Sequence, residues 1–401
     1  MGIAAFASRL KYCVGIVSIL SAIPPAGLRA DAIPQMPWLH EGALLTTHFA
    51  VACAPGTNMA YTMSPDGQWI AGDGTRLDAS ERHGISGGGY TQYAITCVDK
   101  DKVYVNAMTF TDMRAFGFAD PLAGAHATSL PIAAELSDMW ISPAWLAASK
   151  SNPAENRVVE PVQWNVQGRR VDAVSITRLM KNGWDNHVYA RSNGICLHCA
   201  SSSTGAAPDL KYLAAGDVPA GDTLLCAVDF VNVRDVKVPW LNEPMPAWCN
   251  RFTLLHYNGW MGIPNSPLMG APAPVGLDVT YKDSGPGWMA ADTRGWMMVG
   301  GQQSPPVNMV IYSGRGQLDG FFAGPAALSR LQVGQVLDQD PVTNVTTSVT
   351  QMGGGTVTLT ASSGGLLTTH TYDLQTGVLV ATTKTDRQTH IVTQFNLQSR
   401  Q

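Results

Sequence analysis

The sharpest chemical motif in the chain is Cys196-Leu197-His198-Cys199. Haem attachment needs Cys-x-x-Cys-His, and Ala200 stands where that histidine belongs. A redox pair needs Cys-x-x-Cys at a helix N-terminus, where the helix dipole lowers the thiol pKa. Here the motif follows the turn signal Asn193-Gly194 and reads as a strand. On a regular strand Cys196 and Cys199 would face opposite sides, about 10 Å apart at a rise of about 3.3 Å per residue. That is too far for a disulfide between them. Cys196 and His198 would share a face, but zinc needs further ligands and no second cluster supplies them. The favoured reading is structural: Cys196 fills a core position and Cys199 bonds a distant cysteine.

The stretch Gly72 to Gly89 holds a second constellation: Asp73, Asp78, Glu81, His83 and Ser86 before Gly87-Gly88-Gly89. His83 and Ser86 have the types of a base and a nucleophile, and the glycines offer exposed backbone N–H groups. Gly84-Ile85-Ser86-Gly87-Gly88 also matches the string of a nucleophile elbow. That elbow needs a strand before it and a helix after it. Polar Asp78 to His83 precedes this one, and strand-like Tyr90 to Cys97 follows, so a surface loop is the better reading. No following helix and no lysine make it a phosphate loop. The nine histidines show no paired spacing such as His-x₃-His. Trp260-Met261, Trp288-Met289 and Trp296-Met297-Met298 could line an apolar pocket, but core filling is the more economical reading. No residue is assigned as catalytic, cofactor-binding or metal-binding, and no cofactor is expected.

The elements that position these residues repeat. Trp140-Ile-Ser-Pro143-Ala144-Trp-Leu146 is answered by Phe322-Ala-Gly-Pro325-Ala326-Ala-Leu328, an offset of 182 residues. Tyr189 and Gly194 are answered by Tyr372 and Gly377, and Pro161-Val162 by Pro341-Val342. Ser142 and Pro143 suit a helix start, as N-cap and first helical residue. In the second copy Asp373 can accept nearby backbone N–H groups and Gly377 supplies a positive φ, which gives a hairpin turn. Two echoes fall out of register. His256-Tyr257 matches His48-Phe49 at an offset of 208, and Leu44-Leu45-Thr46-Thr47-His48 recurs as Leu366-Leu367-Thr368-Thr369-His370. The second is read as chance.

Strands are expected at Ala43–Cys53, Tyr90–Cys97, Lys102–Phe110, Val158–Asn165, Val171–Arg178 and Thr223–Val238. In the second half they are expected at Phe252–Tyr257, Trp296–Gly300, Asn308–Tyr312, Val342–Val349, Thr356–Ala361, Leu366–Tyr372, Val378–Thr385 and His390–Leu397. The fold class is therefore mainly β, as two tandem related antiparallel curved-sheet domains with one short helix each. The domains are placed at 33–205 and 240–401, with 206–239 as a linker carrying an added strand.

Residues 1–32 read as a signal peptide: basic Arg9 and Lys11, an apolar run, and Ala30-Asp31-Ala32 as the cleavage site. Cleavage removes Arg9, Lys11, Arg29 and Asp31, leaving 23 basic against 29 acidic side chains. No basic run survives, so nucleic acid is not an expected partner. No later stretch is long and apolar enough for a transmembrane helix. Loss of Cys13 leaves six cysteines, an even number that suggests disulfides in an exported chain. A periplasmic or secreted location follows.

The pattern Tyr372-Asp373-x-x-Thr376-Gly377-x-Leu379 in a strand-rich exported chain resembles the hairpins of periplasmic lipoprotein carriers of the Lol type. That resemblance covers hairpin style and domain size, and it implies a curved sheet around short helices with room for acyl chains. The expected function is an exported cell-envelope binding or carrier module without catalysis, for an apolar ligand or an envelope protein. The alternatives are an exported hydrolase using the Gly72–Gly89 loop and a structural surface protein.

Overall fold

The computed structural model describes residues 36–52, 61–63, 69–71, 85–99, 102–111, 126–131, 137–180, 183–202, 224–264, 271–363, 365–387 and 390–401. The expected signal peptide, Cys53 and the stretch from Gly72 to Gly84 lie outside the described residues.

The chain is mainly β. Its first run is β1 (Ala43–Ala52), β2 (Tyr61–Met63), β3 (Trp69–Ala71), β4 (Ile85–Asp99), β5 (Lys102–Thr111) and β6 (His126–Pro131). Helix α1 (Pro143–Ala148) comes next. Strands β7 (Arg157–Val166), β8 (Arg169–Met180), β9 (Gly183–Ala190), β10 (Cys196–Ser202) and β11 (Leu224–Asp235) complete the run. The second run opens with β12 (Leu254–Gly262), β13 (Ala273–Ser284), β14 (Trp288–Val299), β15 (Gln302–Gln303) and β16 (Val307–Gly314). After helix α2 (Pro325–Leu328) come β17 (Val336–Gln339), β18 (Thr346–Gly353), β19 (Thr356–Ser362), β20 (Leu366–Asp373), β21 (Leu379–Asp386) and β22 (Val392–Arg400). Among the described residues no helix is long and apolar enough to cross a membrane.

Two large sheets result. One has the order β6-β5-β4-β1-β11-β10-β9-β8-β7; the other is β15-β14-β13-β12-β22-β21-β20-β19-β18-β17, with β16 also on β14. Strands β2 and β3 pair separately. In each sheet the opening strand lies between its successor and the closing strand: β1 between β4 and β11, β12 between β13 and β22. After each helix the strands run as a meander. The His48 and His256 echo thus falls on strands with the same place in the topology. Its offset departs from 182 because 53–84 joins β1 to β4, whereas only 263–272 joins β12 to β13. Pro37-Trp38-Leu39 and Pro239-Trp240-Leu241 likewise precede the opening strands.

By compactness the chain divides into two units. One comprises Met1–Pro37, Thr47–Gly89 and Pro131–Asn232; the other comprises Trp38–Thr46, Tyr90–Leu130 and Val233–Gln401.

The duplicated landmarks are one structural joint used twice. Gly194 and Gly377 both have φ +70°, and a Cβ on either would sit 2.0 Å from a carbonyl oxygen, that of Ile141 or of Ala323. Ile141 N–H donates to Gly194 O at 2.8 Å, and Ala323 N–H to Gly377 O at 2.9 Å. Trp140 bridges Ile195 and Phe322 bridges Val378. The segment entering each helix is therefore stitched to the hairpin turn of its own copy, and only glycine permits that approach. Asp373 Oδ1 accepts Gln375 N–H at 3.1 Å and Thr376 N–H at 2.7 Å, as the turn reading requires. Ser142 is the N-cap of α1, but its side chain makes no capping bond; its carbonyl accepts Leu146 N–H at 2.9 Å.

The core of the second unit takes one face from nearly every strand of its sheet. Leu255, Tyr257, Leu277, Val279, Val349, Leu359, Tyr372 and Leu379 close on Phe321, Phe322 and Leu328 beside α2. Each such side chain contributes roughly 1.5–3 kcal/mol by leaving water. Tyr372 donates to Gly320 O at 2.9 Å and Tyr257 to Leu379 O at 2.8 Å, so burial strands neither hydroxyl. In the first unit Ile141, Leu146, Val174, Ile176, Tyr189, Cys196 and Cys199 form the corresponding cluster beside α1.

Candidate functional site

Strand β10 is not regular. Cys196 pairs with Tyr189, His198 with Val188 and Cys199 with His187, and the register slips between Cys196 and His198. A bulge adds one residue to one strand and changes which faces later residues take. Tyr189 and His187 share a face, so Cys196 and Cys199 do too, opposite in sense to the regular-strand expectation. His198 goes to the other face, where its Nδ1 lies 2.7 Å from Asp229 Oδ1 and its ring lies 5.0 Å from that of Trp164. Cys196 and His198 therefore do not share a face, and no metal pair forms from them. On the His198 side, burial keeps His48 below its ordinary pKa against the pull of Asp229. Burial pushes Asp229 up, but His198 and then His48 outweigh it and hold the carboxylate below its usual range.

The core face of β9 and β10 gathers three chemical groups. One donor atom from each of Asp138, His187 and Cys199 lies within 4.8 Å of the others. His187 Nε2 is 2.8 Å from Asp138 Oδ1, and its ring is parallel to that of Tyr189 at 5.9 Å. The backbone positions Asp138. Cys196 N–H donates to Met139 O at 3.0 Å, and the Tyr189 hydroxyl donates to Ser137 O at 2.9 Å. Burial, then the nearby Cys196, Asp138 and Cys199, raise the Tyr189 phenol well above its usual pKa, so it remains a hydrogen-bond donor. The His187 side chain is 8% exposed and its Nδ1 has no hydrogen bond among the described residues. Cys97, Cys196 and Cys249 are free, buried thiols, and Cys199 is buried as well. Among the described residues no disulfide is formed; the Cys199 sulfur lies within 4.8 Å of donor atoms of His187 and Asp138, while Cys196 Sγ donates to His198 O at 3.3 Å.

The second copy has a different face at the same place. His370 pairs with Thr382 and Thr368 with Lys384, all on the buried side of β20 and β21 with Asp386. Thr368 is 1% and Thr382 2% exposed, and neither hydroxyl has a hydrogen bond among the described residues. Where the first copy has Asp138 this one has Gly320, and where it has Cys199 this one has Thr382.

Sequence reasoning found Cys199 but neither Asp138 nor His187. The available signal was the repeat itself: the joint that brings Trp140 to the Tyr189 hairpin carries Asp138, two residues earlier, to His187. Of the Gly72–Gly89 constellation, Ser86 lies within β4, so the described backbone there is a strand and not an elbow.

No known protein family matches the chain, and no curated protein does. Among solved structures it is similar to a DUF3598-family protein of unknown function from Nostoc punctiforme. The two are 8% identical over 92% of this chain and 100% of that one, with a TM-score of 0.16, too low to bear on fold or function.

Proposed function

We propose that the protein is a binding or carrier module, exported to the cell envelope, whose second unit takes an amphipathic small molecule against its core face. The supporting observation is the pair of buried hydroxyls of Thr368 and Thr382 without hydrogen bonds, beside His370, Lys384 and Asp386 on an otherwise apolar face. Leaving a buried polar group unsatisfied costs about 1–3 kcal/mol. A ligand with a polar head would satisfy those groups, and its apolar body would meet the surrounding side chains.

Native mass spectrometry and solvent extraction of the purified full chain test this reading. A co-purifying amphiphile, displaced by a long-chain fatty acid and lost in Thr382→Val with Thr368→Val, is the expected result. Protein that is repeatedly empty and takes up no fatty acid would remove it.

A further inference from the structure

We propose that Asp138, His187 and Cys199 of the first unit form a binding site for a zinc-class divalent transition-metal ion. The proposal stands on different residues from the ligand-binding reading and does not depend on it. The donor set carries it. A thiol, an imidazole and a carboxylate are zinc's three ligand types, whereas magnesium and calcium take oxygen donors. The donors come from β9, β10 and the segment before α1, and all three lie within 4.8 Å of one another. Ligands about 2.0–2.3 Å from a tetrahedral ion stand roughly 3.3–3.8 Å apart, so small side-chain rotations suffice.

A second observation points the same way. The His187 imidazole is buried, with Nε2 directed to Asp138 and Nδ1 making no hydrogen bond among the described residues. Among the described residues only Asp138 holds this imidazole by a hydrogen bond, and one of its nitrogens lies within 4.8 Å of both the Cys199 sulfur and an Asp138 oxygen. Three protein ligands leave a fourth position for water or a bound molecule, and Asp138, with 35% of its side chain exposed, connects the site to solvent. Binding would displace the thiol proton and any proton that Asp138 and His187 share, releasing them to solvent.

The rival use of the same three groups is a nucleophilic thiol with a base and an orienting carboxylate. It is disfavoured by the backbone. Cys199 sits mid-strand, paired with His187 on one side and Val228 on the other, so its neighbouring N–H groups serve the ladder and offer no oxyanion site.

The test uses the full chain, stripped by a chelator and titrated with Co²⁺, then with Zn²⁺ in competition. One equivalent of Co²⁺ with a thiolate-to-cobalt charge-transfer band in the near ultraviolet is expected, and Zn²⁺ should bleach it. Cys199→Ser should abolish the band, while Cys249→Ser and Cys196→Ser leave it. Asp138→Asn, which removes a ligand charge at a partly exposed position, should weaken the ion by about 100-fold or more, beyond the range for residues that only support a ligand. Circular dichroism and thermal melting establish that each variant is folded. Three results would overturn the proposal: no bound ion, a band that survives Cys199→Ser, or one that follows Cys196 instead. Reaction of Cys199 with an electrophile in the presence of saturating Zn²⁺ would favour the nucleophile.

Discussion

At the two hairpins that follow the short helices, the same backbone carries different side chains. Gly194 and Gly377 share a φ of +70° and the same contact with the helix-entry segment. Tyr189 and Tyr372 both donate to carbonyls of that segment. His187 and His370 occupy the same place on β9 and β20, two residues before the tyrosines. Around the histidines the copies part. The first has Asp138 and Cys199; the second has Gly320 and Thr382, with Lys384 and Asp386 further along β21. Gly194 and Tyr189 of the joint, and the buried His187, have the same residue types in the second copy; the groups around that histidine do not. The repeat is a frame, and the chemistry belongs to individual copies.

The largest effects should come from breaking the frame. Gly194→Ala and Gly377→Ala each force a Cβ to 2.0 Å from a carbonyl oxygen at a positive φ. Each should cost on the order of 3–5 kcal/mol, read by denaturant unfolding. Similar losses support a shared joint, and a large loss at one glycine alone would break the comparison.

A charged anchor of the second unit comes next. Arg234 bonds Asp338 through both carboxylate oxygens, at 2.6 and 2.7 Å, and Asp340 at 2.9 Å. Asp340 also accepts Gln92 at 2.8 Å and the Thr343 N–H at 2.7 Å. Arg234→Ala leaves the buried Asp340 and the partly buried Asp338 without their counter-charge and should cost about 3 kcal/mol. Burial pushes Asp340 up, but the Thr343 N–H, then Arg234 and Gln92, hold it below its ordinary value. A depressed folded pKa contributes stability above the unfolded pKa, about 4, and that stability fades as pH falls through the lowered value. The thermal midpoint should therefore drop below about pH 4, and drop less in Arg234→Ala. An equal acid slope in both proteins would contradict the network.

Smaller effects sharpen the contrast between the copies. Tyr189→Phe and Tyr372→Phe each lose a hydrogen bond worth about 1 kcal/mol. Only Tyr189→Phe should also weaken metal binding, because its hydroxyl fixes the carbonyl next to Asp138. Thr382→Val removes a hydroxyl that makes no described hydrogen bond and should change stability by less than about 1 kcal/mol, in the stabilising direction. A clear loss on melting would mean that the hydroxyl serves the fold.

Much of this frame was legible in the residues. Pro143 and Pro325 mark both helices, and Gln167-Gly168 turns β7 into β8 with φ values of 49° and 82°. Strand β13 does alternate, with Val275, Leu277 and Val279 buried between Pro274, Gly276, Asp278 and Thr280, but Pro274 and Gly276 are turn-type residues that mask the pattern. The face taken by Cys199 differs from the regular-strand expectation because one bulged residue reverses every assignment after it. Asp138 and His187 are 49 residues apart, and no local pattern joins them. Their meeting depends on the joint between the helix-entry segment and the hairpin.

The most direct test is a native mass spectrum of the full chain with Zn²⁺, compared across three proteins. One ion per chain is predicted in the wild type and in His370→Gln, and none in Cys199→Ser. An ion retained in Cys199→Ser and lost in His370→Gln would place the metal chemistry in the wrong copy and contradict the account.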